Sequence, residues 1–145
     1  MPPIVWDRAE GFLVCDAYGN QWIDLSSSIV MSNAGHGHPK IRAAIHEMCE
    51  RPLLSTYAFP QQGRLSLLEK LVELSPIRDS KAILFSAGTE ATECAIMLMR
   101  RHGGRIHPDK VGIISFADGY HGRTLAAALA TGKSGPEDWI NRHRV

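Results

Sequence analysis

The feature that most constrains the fold is an ordered series of apolar run, turn, helix and second apolar run. Residues 82–85 (AILF) form a short continuous apolar run, which is typical of a buried parallel strand. Small residues at 86–89 then turn the chain into a helix that we expect to end near Gly103 and Gly104. Residues 111–116 (VGIISF) predict the next strand, and the series has the ~30-residue length of a βαβ unit. It therefore predicts a parallel α/β sheet with a right-handed crossover.

The first part of the chain has the pattern of a hairpin followed by a helix. Residues 12–15 and 21–25 predict two short strands, and the turn formers at 16–20 (DAYGN) join them. Pro39 suits the first position of a helix, whose apolar residues recur at helical spacing until Pro52 closes it. This part therefore precedes the α/β layer and differs from it in architecture.

A break at residues 60–63 precedes a second amphipathic helix, which we expect to end near Pro76. We predict two parts: an N-terminal segment over residues 1–58, belonging to a small domain, and the beginning of a large α/β domain over residues 59–145. Two parallel strands alone cannot make a well-covered sheet. The chain is therefore expected to be a fragment, or to need further material to complete its core.

Composition argues against several classes of partner. The 145 residues include 16 basic and 15 acidic side chains, so a net charge of +1 gives no reason to expect nucleic acid or an acidic membrane surface. No apolar stretch approaches the ~20 residues of a spanning helix, and the first residues lack a signal-peptide pattern. The 3 cysteines lie far apart without a Cys-x-x-Cys pair, which is typical of free thiols in a reducing compartment. We therefore expect a cytoplasmic protein.

The turn after the first apolar run has the features of a phosphate site. The first N–H groups of a helix have no intrahelical partner, and the helix dipole places partial positive charge there. Gly88 lets an anion approach the backbone, and Thr89 can offer both its amide and its hydroxyl. The alternative is an ordinary capped helix, with Ser86 or Thr89 as the cap. Glu90 in the first turn favours that alternative, because its charge competes with a bound anion.

A second candidate site is the Tyr120 loop, which we define as residues 118–124 (DGYHGRT). It follows the second predicted strand, and ligands of open α/β sheets bind beyond the carboxyl ends of the strands. If the two strand ends are adjacent, Thr89 and Tyr120 share one rim, where the aromatic ring can stack on a planar heterocycle held by its phosphate. The alternative is a surface loop whose tyrosine packs locally.

The segment containing His36 and His38 raises the question of a metal site. One His-x-His pair without a carboxylate or cysteine at ligand spacing is a weak metal signal. A tight turn into the helix at Pro39 explains the segment better, so we predict no metal. Asp24 is expected to hydrogen-bond the backbone near the start of the loop that precedes this turn.

Four motifs in order resemble one enzyme family. The chain resembles the class III (omega-amino acid) pyridoxal-phosphate-dependent aminotransferases of fold type I over about residues 12–132. The resemblance rests on residues 16–24 (DAYGNQWID), 35–39 (GHGHP), 88–93 (GTEATE) and 120–124 (YHGRT). It implies the N-terminal portion of a mostly parallel three-layer α/β fold, pyridoxal 5′-phosphate as cofactor, and a homodimer or higher homo-oligomer with its active site at the subunit interface. It also implies an amino donor and a 2-oxo acid as small-molecule substrates.

The resemblance assigns roles to four residues. Gly88 and Thr89 match the phosphate-binding turn, Tyr120 matches the aromatic residue that stacks on the pyridine ring, and His121 matches its neighbour. Residues 29–31 fall in a segment that usually lines the substrate pocket, and Tyr57 falls in a stretch that often contributes to the pocket too. Ala87 stands where the family often has serine, so one side-chain donor to the phosphate is lost.

No catalytic residue is predicted in this chain. The family holds its cofactor as a Schiff base on a lysine far downstream and pairs the pyridine nitrogen with a downstream aspartate. None of the lysines stands in the family's Schiff-base context; they are Lys40, Lys70, Lys81, Lys110 and Lys133. We therefore expect the chain alone not to transaminate, and to bind the cofactor weakly through its phosphate.

Three alternatives remain open at this point. The chain could be a non-catalytic truncated domain that associates with itself. The parent protein could be another class III enzyme, namely an aminomutase, an epimerase or a decarboxylase. An unrelated phosphate-binding α/β module is less favoured, because neither Gly-x-x-x-x-Gly-Lys-Ser/Thr nor Gly-x-Gly-x-x-Gly occurs. The sequence does not determine the amino donor or acceptor.

Overall fold

The computed structural model describes residues 4–53 and 55–132, and the chain divides into two compact units, Met1–Gln61 and Gln62–Val145. The predicted assignment of residues 1–58 to a small domain and of residues 59–145 to a cofactor-binding domain stays a prediction.

The first unit contains a three-stranded antiparallel sheet in the order β1 (Arg8–Glu10), β2 (Leu13–Cys15) and β3 (Gln21–Ile23). Val14 in the central strand pairs with Ala9 on one side and Trp22 on the other, and it is 1% exposed. The hairpin between β2 and β3 is the predicted one. β1 was not predicted, because Arg-Ala-Glu has little intrinsic strand preference and only pairing with β2 makes it a strand.

The hairpin turn is held by one side chain. Asp16 Oδ1 accepts hydrogen bonds from the backbone N–H groups of Tyr18 and Asn20, each at 2.9 Å, and Oδ2 accepts one from Asn20 Nδ2 at 2.8 Å. Gly19 has a φ of +87°, which glycine adopts without the steric cost of a Cβ atom. The local sequence therefore determines this turn.

Two helical elements follow the sheet. The short turn α1 (Ser27–Val30) has positive φ values throughout, from 47° to 63°, so it is left-handed. Positive φ is rare for the β-branched residues Ile29 and Val30. Helix α2 (Pro39–Cys49) begins with proline at its first turn, as predicted.

The second unit contains three helices, α3 (Gln62–Leu74), α4 (Gly88–Ile106) and α5 (Leu125–Ala130). Helices α4 and α5 contact each other, and the buried residues of this unit include Ile96, Ala127 and Ala128. Helix α5 was not predicted, because six residues are too short for a periodic pattern. Among the described residues, no helix combines the length and apolarity needed to span a membrane.

Two details of the second unit correct the sequence interpretation. Residues 82–85 and 111–116 were expected to be strands, but neither pairs with a strand in the described part of the chain. A parallel sheet needs neighbouring strands and a covering layer on both faces. These two segments do not pair with each other, so neither has a neighbouring strand among the described residues. Helix α4 also continues two residues beyond Gly104, to Ile106.

Candidate cofactor site

The first turn of α4 lies directly after the apolar segment 82–85. Ala87 precedes the helix in an extended conformation and makes no side-chain capping hydrogen bond. The Glu90 carboxylate instead turns back and accepts a hydrogen bond from the backbone N–H of Ser86 at 2.9 Å. The cap by Ser86 or Thr89, which was the alternative to a phosphate site, is therefore not formed. A Cβ atom at Gly88 would meet nothing within 4 Å, so the backbone of this turn is accessible.

The Tyr120 loop lies against this turn. Gly122 has a φ of +127°, and a Cβ atom there would collide with the Thr89 side chain. Only glycine permits this close approach without strain. The structure therefore brings the glycine-threonine bend and the Tyr120 loop together, although the two preceding segments do not pair as strands.

Three side chains connect the bend to the loop. Thr89 Oγ1 lies 2.6 Å from Thr124 Oγ1 and accepts a hydrogen bond from the Thr124 backbone N–H at 3.3 Å. The Thr124 hydroxyl donates to Glu93 Oε1 at 2.5 Å. The same carboxylate oxygen accepts from the N–H groups of Ala126 (2.9 Å) and Ala127 (3.1 Å) at the start of α5. Glu93 therefore caps α5 from the neighbouring helix.

The middle of the loop is hydrogen-bonded to the end of α5. The His121 backbone N–H donates to Thr131 Oγ1 at 3.1 Å, and the Thr131 hydroxyl donates to the Ala127 carbonyl at 3.0 Å. The His121 ring folds over Gly119, where a Cβ atom would come within 3.1 Å of Nε2. Tyr120 is 58% exposed, so its ring is available to a ligand.

Sequence reasoning missed the roles of Glu93, Thr124 and Thr131. Glu93 and Thr124 lie inside the motifs that carried the family resemblance, but no local pattern shows that residues 31 positions apart bond each other. For Thr131, the sequence shows no motif that indicates a role; the residue simply follows an alanine-rich segment.

The first unit holds a separate polar cluster. Asp24 Oδ1 accepts from the Ser26 N–H at 2.9 Å and the Ser26 hydroxyl at 2.6 Å, which confirms the expected bond to nearby backbone. His36 Nε2 lies 2.8 Å from Asp24 Oδ2, and their side chains are 15% and 3% exposed. The Ser26 hydroxyl, followed by His36, lowers the pKa of Asp24 from 3.8 to about 2.

His36 is also fixed by its surroundings. Its backbone exchanges two hydrogen bonds with Gly11, at 2.9 and 2.7 Å, and its ring meets Trp6 edge-on with centroids 5.7 Å apart. One of the two ring nitrogens, Nε2, is therefore engaged by Asp24. Within residues 4–53 and 55–132, no three potential ligands gather around a common point.

A cleft of about 540 Å³ lies beside the site and does not include the predicted cofactor residues. Its walls are Arg64, Leu68, residues 82–86 and Glu90. Half of this lining is the unpaired apolar segment 82–85, and Leu68 adds a further apolar side chain. The cleft therefore has the character of a packing surface, while the polar site lies at the contact between Thr89 and the Tyr120 loop.

Structural comparison places the fold among transaminases. A taurine:2-oxoglutarate aminotransferase from Bifidobacterium kashiwanohense, solved in complex with PLP and glutamate, superposes with a TM-score of 0.78 and 29% identity, covering 89% of this chain and 28% of that one. The chain belongs to the aminotransferase class-III family, whose profile matches residues 1–140. Members of this family use pyridoxal phosphate.

Relatives in sequence agree with this assignment. Ornithine aminotransferase 2 of Staphylococcus saprophyticus is 39% identical over 127 residues, which cover 86% of this chain and 32% of that protein. Acetylornithine aminotransferase of Xanthomonas campestris is 38% identical over 131 residues, covering 88% and 32%. The chain thus spans about one third of the length of the curated relatives it matches. The fold expected from the resemblance is confirmed: the chain is mixed α/β and matches part of a longer transaminase chain.

Proposed function

We propose that this chain supplies the phosphate- and ring-binding part of a PLP-dependent aminotransferase. The whole protein would move an amino group from an amine or an (omega-)amino acid to a 2-oxo acid. The observation that carries the proposal is the contact of Thr89 with Gly122 and Thr124. This contact joins the two segments to which the family resemblance assigns the phosphate and the ring of the cofactor.

The residues present fit a phosphate group. The first N–H groups of α4 have no intrahelical acceptor, and Ala87 offers no side-chain cap to satisfy them. Gly88 leaves open space where a side chain would otherwise stand. The 19-residue helix adds the partial positive charge of its dipole. Glu90 opposes this, but its carboxylate is turned back onto the Ser86 amide.

We assign roles on this basis. The backbone N–H groups of Gly88 and Thr89 bind the phosphate, and the exposed ring of Tyr120 stacks on the pyridine. His121 shapes the loop beside that ring. When bound, the cofactor supplies the carbonyl carbon that takes up the amino group and the ring that withdraws electrons from the substrate.

The substrate class, assembly and location belong to the same proposal. Relatives carry names such as ornithine aminotransferase and 5-aminovalerate aminotransferase, which favours a donor with a terminal amino group. We further propose a homodimer or higher homo-oligomer in the cytoplasm. The free thiols of Cys15, Cys49 and Cys94 agree with a reducing compartment.

Binding of pyridoxamine 5′-phosphate tests the proposal directly, because its amine forms no Schiff base with surface lysines. We expect it to bind the chain at least about tenfold more tightly than pyridoxamine, since a phosphate at a helix N-terminus makes charge-assisted hydrogen bonds. We also expect Tyr120→Leu to weaken binding, because stacking on the ring is lost. Isothermal titration measures both effects.

Tyr18→Leu is the matched control, because Tyr18 is 91% exposed in the first unit. It should bind as the wild-type chain does. Equal affinity for pyridoxamine with and without its phosphate would contradict the phosphate assignment. Unchanged binding in Tyr120→Leu would contradict the stacking assignment.

A further inference from the structure

The hydrogen bonds around Thr124 allow only one arrangement of donors and acceptors. An ionised carboxylate only accepts hydrogen bonds, and Glu93 Oε1 lies 2.5 Å from the Thr124 hydroxyl. The hydrogen bond from Thr124 lowers the pKa of Glu93 further below neutrality, so this carboxylate is ionised at pH 7. The single hydroxyl hydrogen of Thr124 is therefore donated to Glu93.

The direction of the hydrogen bond from the Thr124 hydroxyl determines the direction of the hydrogen bond between Thr124 and Thr89. Their Oγ1 atoms are 2.6 Å apart, so one hydrogen lies between them. Because Thr124 has donated its hydrogen to Glu93, Thr89 is the donor of this pair. The Thr89 oxygen in turn accepts the Thr124 N–H at 3.3 Å. The Thr89 hydroxyl thus has no hydrogen left for a bound phosphate.

We propose that Glu93 is a positioning residue, which holds the Tyr120 loop against the first turn of α4 through Thr124 and directs the Thr89 hydroxyl to the loop. The consequence of this role for the cofactor rests on the proposed function. In the cofactor site, backbone N–H groups bind the phosphate, and the Thr89 hydroxyl sets the position of the loop that carries Tyr120. This separates the role of the Thr89 side chain from that of its amide.

The packing around these three residues supports a positioning role. Gly122 admits the Thr89 side chain at a distance that any Cβ atom would prevent. The backbone of His121, in the middle of the loop, donates to Thr131, so α5 acts as a brace that holds the loop from both ends of the helix. The start of that brace depends on Glu93, which accepts the N–H groups of Ala126 and Ala127. Loss of Glu93 therefore loosens the loop and the brace together.

Hydrogen exchange tests the ordering without any ligand. In Glu93→Ala, we expect the amide hydrogens of Ala126 and Ala127 to exchange about tenfold faster than in the wild-type chain, because they lose a charged acceptor. Glu93→Gln keeps an acceptor oxygen and should restore part of the protection. Glu73→Ala is the matched control, since Glu73 is 66% exposed on α3 and forms an ion pair with Lys70. Wild-type exchange in Glu93→Ala would overturn the proposal.

Two ligand probes distinguish a positioning hydroxyl from a phosphate-binding one. In Thr89→Val and Thr124→Val, we expect pyridoxamine 5′-phosphate to bind about tenfold more weakly, because Tyr120 is displaced, while inorganic phosphate binds within about twofold of wild type. Thr89→Ser and Thr124→Ser keep the hydroxyls and should restore binding. An equal loss for both probes in Thr89→Val would overturn the proposal, because it would show that the hydroxyl contacts phosphate directly.

The two readouts separate the two proposals. If the wild-type chain bound pyridoxamine 5′-phosphate no better than pyridoxamine, the proposed function would fail. Hydrogen exchange in Glu93→Ala would still decide whether Glu93 orders the loop. If instead the wild-type chain bound the phosphate form and the threonine variants bound it equally well, only the positioning role would fail.

Discussion

At the scale of residues, this chain uses short polar side chains to hold loops in place. Asp16 closes the hairpin turn, Asp24 and His36 hold the loop before α2, and Glu93 holds the start of α5. Each carboxylate accepts two or more hydrogen bonds, and each has a lowered pKa because hydrogen bonds favour its charged form. The structure of these loops therefore depends on ionised acids.

The Asp24 cluster gives a prediction about pH. Its folded pKa of about 2 lies below its ordinary value of 3.8, so its contribution to stability is complete above about pH 4 and is lost as the pH falls towards 2. We expect Asp24→Asn to lower the melting temperature at pH 6. The difference from wild type should shrink between pH 4 and pH 2, as thermal unfolding followed by circular dichroism would show.

Asp109→Asn is the control for this prediction, because the Asp109 side chain is 94% exposed. It should melt close to wild type at each pH. A difference between wild type and Asp24→Asn that stayed constant down to pH 2 would contradict the assignment of this acid effect to Asp24.

At the scale of elements, helix α4 connects the features of the second unit. Its first turn meets the Tyr120 loop, Glu93 one turn later caps α5, and Ile96 is buried. Its last turns contain two adjacent glycines in different surroundings. A Cβ atom at Gly103 would collide with the Lys110 carbonyl, whereas one at Gly104 would meet nothing within 4 Å. Gly103 thus allows the following chain to pack against the helix.

These neighbouring glycines make a matched pair. Gly103→Ala should destabilise the chain by about 1–3 kcal/mol, because the backbone at Lys110 must move. Gly104→Ala should stabilise it by about 0.5–1 kcal/mol, because alanine favours the helix and the space is open. Urea unfolding measures both. Equal effects of the two substitutions would show that the chain after α4 does not pack against Gly103.

At the scale of the whole molecule, much apolar surface remains uncovered. The buried apolar residues in the described part of the chain are Val14, Ile96, Ala127 and Ala128. Ile114 and Phe116 are 97% and 83% exposed in a segment that pairs with no described strand. An unpaired apolar strand segment of this kind readily joins another chain. This observation favours the alternative in which the chain by itself associates with a second copy.

Self-association of the chain can be measured by light scattering after size-exclusion chromatography. We expect a concentration-dependent oligomer, which Ile114→Lys weakens at least about tenfold because a buried isoleucine contributes about 1.5–3 kcal/mol. Leu25→Lys is the control, since Leu25 is 93% exposed in the other unit. A monomer at all concentrations, or equal effects of the two lysine variants, would argue against association through residues 111–116.

The sequence by itself determined the local elements. The hairpin turn follows from Asp16, Gly19 and Asn20, and α2 follows from Pro39, because their interactions lie within a few residues along the chain. The glycine-threonine bend at the start of α4 was predicted for the same reason. The family resemblance also came from local motifs, and the matched profile confirms it.

Only the tertiary structure decided which distant groups meet. β1 exists because β2 pairs with it, and Glu93 reaches Thr124 across 31 residues, so neither could be read from a local pattern. The predicted strands at 82–85 and 111–116 pair with no segment of the chain that the structure describes, although their composition is that of buried strands. A strand forms only where a neighbouring strand shares its backbone hydrogen bonds. The sequence of an apolar segment does not determine whether such a neighbour is present.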